Sequence, residues 1–206
     1  MKWTVLVPIR ALPSAKSRLA SSVPAEVFEP LVAAIRADTL DAVRAARPVA
    51  RVVIVGDRPG PDVTLVQASP GLNGALRDGA TCAREQWPAD GVAALVGDLP
   101  ALRPTELTDA LAAAASHPTA FVPDRTGTGT TLLTARPDAV LNPQFGVGSA
   151  RRHRAVATEL GAGAGLRHDV DTADDLAAAA ALGLGAQTAI LFDTDGGFRV
   201  HVDAAL

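Results

Sequence analysis

An apolar run, Val5-Leu6-Val7-Pro8-Ile9, empties into a segment that carries three cations, Arg10, Lys16 and Arg18. In an open α/β sheet, ligands collect beyond the carboxyl ends of the strands, so cations delivered there by a first strand suit an anion such as a phosphate chain. An ordinary solvated loop is the alternative, because no glycine-rich phosphate fingerprint follows the run. The opposite charge appears at Val96-Gly97-Asp98-Leu99-Pro100, where a second apolar run stops at an aspartate. Magnesium takes oxygen ligands and keeps several waters, so one or two such carboxylates together with substrate phosphates complete a site. Asp98 could equally cap the turn before Pro100. A further acidic group, Asp169, Asp171, Asp174 and Asp175, follows a short strand expected from Leu166, and alternation puts Asp169 and Asp171 on one face. Asp171 or Thr172 also suits a helix N-cap. Two distant strand-end aspartates and a basic first loop form the charge complement that nucleotide chemistry needs.

Two more loops could complete such a site. Thr126-Gly127-Thr128-Gly129-Thr130-Thr131 offers small residues, hydroxyls and backbone N–H groups, which suit a small phosphorylated acid or, more simply, a turn before a strand. Phe145-Gly146-Val147-Gly148-Ser149 ends at a helix start, where Ser149 either meets an anion or serves as an N-cap. Asn73, at the head of another helix, could read a base edge or cap. Cys82 falls inside a predicted helix, away from any nucleophilic role. His153, among arginines, is expected on a helix surface.

The elements that would position these residues alternate. Val-rich runs at 4–7, 52–55, 64–66, 93–96, 120–122 and 131–133 read as strands buried on both faces. Helical patterns lie at 24–45, 72–87, 104–116, 149–160 and 172–183, the first and third opened by Pro24 and Pro104. Alternating β and α predicts an α/β fold with a mostly parallel central sheet flanked by helices in three layers. In the first helix Phe28, Leu31, Val32, Ile35, Leu40 and Val43 form the packed stripe, with Glu26, Glu29, Arg36, Asp38 and Arg44 on the polar side. Residues 1–191 are expected as one domain. A β-hairpin or tail follows over 192–206, with 189–192 and 198–202 as strands around Asp193-Thr194-Asp195-Gly196-Gly197.

Composition narrows the classes. A net charge of -3 argues against a nucleic-acid partner, and aromatics at 3% with no tyrosine leave nothing for base-stacking surfaces. One cysteine excludes an internal disulfide and a cysteine-rich metal site, which suits a reducing cytoplasm. No run of about 18 apolar residues and no signal-peptide pattern occurs, so neither membrane insertion nor secretion is expected. A monomer or small homo-oligomer is expected.

In order along the chain, VPIRALPSAKSRL, GLNGALRDG, VGDLPAL, GTGTT, FGVGSARRH and DVDTADDL resemble the CofC/FbiD family of guanylyltransferases. The resemblance covers Met1 to about Leu191 and implies a nucleotidyltransferase-like fold. It further implies transfer of GMP from GTP to a small phosphorylated acid in the synthesis of the deazaflavin coenzyme F-420. By that likeness Thr131, Gly146 and Ser149 bind the acid, and Asp98 and Asp171 hold Mg2+ with Asp169 as a neighbouring possibility. Lys16 meets the GTP phosphates together with Arg10, and Asn73 sits near the guanine or ribose. Phosphoenolpyruvate is the expected acid, with 2-phospho-L-lactate or a phosphoglycerate as alternatives. A cytidylyltransferase of the nucleotide-sugar or isoprenoid type and a non-catalytic nucleotide-binding module are the rival classes.

Overall fold

The computed structural model describes residues 1–9, 17–192 and 198, with only the backbone of Ser17. Arg10, Lys16 and the loop between them, and most of the expected second hairpin strand, lie outside the described residues. Seven strands form one sheet: β1 (Trp3–Ile9), β2 (Val49–Gly56), β3 (Leu65–Val66), β4 (Gly91–Leu95), β5 (Thr119–Pro123), β6 (Thr130–Ala135) and β7 (Thr158–Glu159). Their order is β3-β2-β1-β4-β6-β5-β7. Every pairing is parallel except those of β6, which runs antiparallel to both β4 and β5. The mostly parallel three-layer arrangement is therefore as expected.

Burial explains why the central strands read as continuous apolar runs. Successive β1 side chains point to opposite faces. Val5 and Val7 pack with Leu40 and Val43 of α2 (Ala25–Ala45) and with Leu107 and Leu111 of α4 (Pro104–Ala114). Leu6 packs with Leu76 and Ala80 of α3 (Gly71–Gln86) and reaches Phe145 and Ala150, the latter in α5 (Ser149–Arg154). A third cluster joins Leu19 of α1 (Ser17–Ala20) and Leu31 of α2 to Leu176 and Ala179 of α6 (Ala173–Leu182).

Four expectations change. The helix expected over 149–160 ends at Arg154, because the chain must leave it for Leu160 N–H to reach the Phe121 carbonyl at 2.9 Å, beyond β7. The strand expected from Leu166 is a 3-10 turn, Gly165–Arg167, that buries Leu166 completely. Residues 189–191, expected as strand, belong to α7 (Ala186–Leu191). Asp38 explains that helix: placed by periodicity on the polar side of α2, it is buried and accepts the N–H groups of Gln187 and Thr188 at 3.0 and 2.8 Å. It thereby caps α7 from 149 residues away in sequence. Of the expected hairpin, the described residues hold a single antiparallel bridge, Phe192 to Phe198.

Candidate active site

Beyond the carboxyl ends of β1 and β4 lies a cavity of about 330 Å³ whose walls include Ile9, Gln67, Leu72, Gly97, Asp98 and Asp171. The two aspartates expected to act together thus face one space. Asp98 is set by a buried strut: Thr39 Oγ1 accepts the Leu99 N–H at 2.9 Å and donates to the Ile35 carbonyl at 2.8 Å. The Asp98 carbonyl accepts the Val170 N–H at 3.0 Å, which draws the second acidic segment alongside the first. Val170 is buried, so Asp169 and Asp171 turn the other way, as alternation requires.

Burial raises the Asp169 carboxyl to about 7, and the charge of Asp98 adds to the rise, followed by those of Asp171 and Asp124. Asp98, Asp171 and Asp124 thus lie within electrostatic reach of Asp169. Arg18, which carried no assignment in the sequence, supplies one positive charge at 3.5 Å from Asp171, in an exposed ion pair. Among the described residues no three His, Cys, Asp or Glu side chains are gathered into a ready ligand set. The oxygen donors present nonetheless fit a hard divalent cation completed by water and phosphate oxygens, and their mutual repulsion is what such an ion relieves.

Across the end of β4 stands the loop of small residues. The Thr131 carbonyl accepts the Val96 N–H at 3.0 Å, which sets this loop next to Gly97 and Asp98. Asp124, unnoticed in the sequence, organises the loop: one carboxylate oxygen accepts from Thr126 Oγ1 at 2.9 Å and the Thr128 N–H at 3.0 Å, the other from the Gly129 N–H at 2.9 Å. A Cβ at Gly129 would meet that carboxylate, so the glycine is required by close approach. Its position at the carboxyl end of β5 is the signal that could have revealed Asp124. Of the two strand-initial threonines, Thr130 shares a face with Ser149, whose hydroxyl donates to it at 3.2 Å. Thr131 points to the opposite face, fully buried, with Oγ1 3.5 Å from the Val122 carbonyl.

The Phe145-to-Ser149 loop is strapped from three sides. Asn73 donates to the Phe145 carbonyl at 3.1 Å and accepts its N–H at 2.8 Å, so each end of its amide is engaged by this loop, and it caps no helix. Arg152 donates to the carbonyls of Gln144 and Val147. His153, expected on a surface, is fully buried against Phe145 and Phe121. Its Nε2 lies 3.0 Å from the Gln144 N–H and must accept, so Nδ1 carries the hydrogen and donates to Thr130 Oγ1 at 2.8 Å. Burial, with the neighbouring Arg152 charge, pushes its imidazole down to about 4, so it is neutral at pH 7. Gly146 adopts φ 118°, and its carbonyl accepts the Ser149 N–H at 3.0 Å, while the Ala150 N–H goes to Thr128. Both first N–H groups of α5 are thus used within the protein rather than left for an anion.

A mostly parallel sheet with loops and a cavity at one end and an acidic group beside it define an α/β protein of the nucleotidyltransferase type. A putative nucleotide-diphospho-sugar transferase from Desulfovibrio desulfuricans G20 superposes with a TM-score of 0.65 at 18% identity, covering 86% of each chain. A Mycobacterium tuberculosis H37Rv protein solved in complex with manganese superposes at 0.52 with 19% identity, covering 86% of this chain and 97% of its own. The model of the family described as guanylyl transferase, CofC like, matches residues 3–189. The chain belongs to that family. A phosphoenolpyruvate guanylyltransferase from Streptomyces scabiei (strain 87.22) is 47% identical over 205 residues, covering 92% of this chain and 95% of the relative. Among the described residues no helix is long and apolar enough to cross a membrane.

Proposed function

We propose that the chain transfers GMP from GTP to phosphoenolpyruvate, giving enolpyruvoyl-diphospho-guanosine and pyrophosphate, as a step towards coenzyme F-420. The observation that carries this reading is the placement of Asp98 and Asp171 on one cavity, with Asp169 within reach of both charges and the threonine- and glycine-rich loop next to Asp98. A phosphate oxygen of the acid attacks the α-phosphorus of GTP. The bond from that phosphorus to the oxygen bridging to the β-phosphate breaks, and pyrophosphate leaves with the electron pair. A phosphate monoester is already anionic at neutral pH, so positioning and charge neutralisation are the protein's main tasks and no general base is needed. Asp98 and Asp171 would hold Mg2+, with Asp169 beside them, and the ion would supply neutralisation of phosphate charge. Arg10 and Lys16 serve the triphosphate, and the loops bearing Thr131, Gly146 and Ser149 receive the acid.

The experiment is to incubate the protein with GTP, Mg2+ and, in parallel, phosphoenolpyruvate, 2-phospho-L-lactate or 3-phosphoglycerate, reading products by mass spectrometry. The expected result is an enolpyruvoyl-diphospho-guanosine mass with one pyrophosphate per product. Nucleotide binding with no pyrophosphate from any acid would make the chain a binding module, and turnover with CTP alone would make it a cytidylyltransferase.

A further inference from the structure

The sheet end extends past the acidic cluster to the residue that follows β3. Gln67 follows β3 at the carboxyl edge, and its backbone N–H donates to the Gly56 carbonyl at 2.9 Å, continuing the ladder. Its side-chain Nε2 donates to the Ser69 carbonyl at 2.8 Å. A carbonyl can only accept, so the amide nitrogen must face it and the amide cannot flip. Oε1 keeps its lone pairs and Nε2 one further hydrogen, on a residue that lines the same cavity as Asp98 and Asp171.

The segment bearing Gln67 is itself pinned. The Asp78 carboxylate accepts the N–H groups of Ala68 and Ser69, both at 2.7 Å, and the Ser69 hydroxyl at 2.8 Å. Those bonds, the Ser69 N–H first, hold the Asp78 carboxyl below its ordinary value. Gly74 allows α3 to press on Ser69, since a Cβ there would stand 2.9 Å from the Ser69 backbone. A half-buried glutamine with a fixed amide, on a segment held by three charge-assisted bonds, is a preorganised acceptor.

Strand order relates it to the acidic cluster. In the order β3-β2-β1-β4, Gln67 and Asp98 stand at strand ends three steps apart, about 14 Å at the usual strand spacing. An extended nucleotide can bridge such a gap, its base at one end and its phosphates at the other. Ile9, Val32 and Leu72 also line the cavity, with Arg36, and give a flat ring apolar surface to lie on. We propose that Gln67 is the specificity-determining residue for the nucleotide base, its Oε1 accepting from the adjacent N1–H and N2–H donors of guanine. Adenine would turn an N1 lone pair towards the same fixed oxygen. This inference rests on the guanylyltransferase reading above and adds the residue that selects the base.

The test uses inosine triphosphate, which keeps N1–H and lacks the 2-amino group. Kinetics with GTP and ITP, at saturating acid, are measured on the wild type, Gln67→Met and Gln67→Ala. The wild type is expected to favour GTP over ITP by about tenfold in kcat/KM, within the range of one base-edge contact. Both variants are expected to lose about ten- to a hundredfold with GTP and to bring the GTP-to-ITP ratio near one, leaving the KM for the acid unchanged. A general loss of structure would lower both nucleotides together and keep their ratio. If turnover is too slow to follow, dissociation constants for GTP and ITP by calorimetry give the same ratio. A ratio unchanged in both variants would overturn the assignment, whereas a wild type that makes no product with GTP would instead sink the guanylyltransferase reading.

Discussion

The two sides of the crevice are built differently. On the side of β6 and α5, loops are held by side chains bonded to backbone: Asp124 to the Thr126-to-Gly129 turn, Asn73 to Phe145, Arg152 and His153 to Gln144. On the side of β1 and β4, apolar walls adjoin an acidic group in which burial first, and the charge of Asp98 second, raise the Asp169 carboxyl. One half is braced by its own side chains; the other gathers carboxylates whose charge a bound cation would offset. On the proposed function, shape selection of a small acid falls to the first kind of construction, and binding of a metal–triphosphate to the second.

That contrast breaks most sharply at Asp98. Asp98→Asn is expected to lower kcat for pyrophosphate release by about 10² to 10³, the scale of a lost electrostatic contact at a reacting centre. The thermal midpoint should hold or rise, because one member of a repelling cluster has gone. A large fall in melting temperature with activity retained would reverse the assignment of roles. The braced half should respond in the opposite sense, through stability. His153 is neutral and buried in the fold, with its imidazole near 4, while in the unfolded chain it titrates near 6.5. Between those values the unfolded state binds the extra proton, so stability is full above about pH 6.5 and declines as pH falls to about 4, then levels. The full loss is about 3 kcal/mol at 1.36 kcal/mol per unit. Denaturant melts from pH 7 to 4 on the wild type and His153→Phe measure it; an equally steep decline in both would remove His153 as the cause.

How much of this was legible depended on which force decided each position. Asp98 could be read because a carboxylate closing an apolar run has few other places to go in a parallel sheet. Asp169 and Asp171 could be paired because strand-like alternation survives even where no strand forms. Asp38 could not, since helical periodicity marks a polar face without knowing that α7 will cover it. His153 was misplaced by its arginine neighbours, although its spacing of four from Ser149 puts both on one helix face. Thr131 came from family likeness. Only the strand register places Thr130 beside Ser149 and turns Thr131 to the other face.

Asn73 tests the border between the two halves. Its sequence expectation was a base or ribose contact, whereas its amide is occupied at both ends by Phe145. Asn73→Ala is expected to raise the KM for the acid about tenfold, the worth of two backbone hydrogen bonds at roughly 0.5–1.5 kcal/mol each, with the KM for GTP little changed. The reverse pattern would restore the nucleotide contact and make the Phe145 clamp incidental.

The smallest effect separates a ligand contact from a brace within one hydroxyl. Ser149 is almost fully buried and donates to Thr130 Oγ1, which also accepts from His153. To bind an anionic acid, the Ser149 hydroxyl must rotate its hydrogen away from Thr130, exchanging a neutral hydrogen bond for a charge-assisted one. Ser149→Ala removes the incoming bond and leaves Thr130 still paired with His153, so the fold should lose only about 1 kcal/mol. If the hydroxyl does swing to the acid, the KM for phosphoenolpyruvate should rise several-fold more than that for GTP. If it stays on Thr130 throughout, both constants should remain at wild-type values and only the melting temperature should fall, which would assign acid binding at this corner to the backbone of the loop alone.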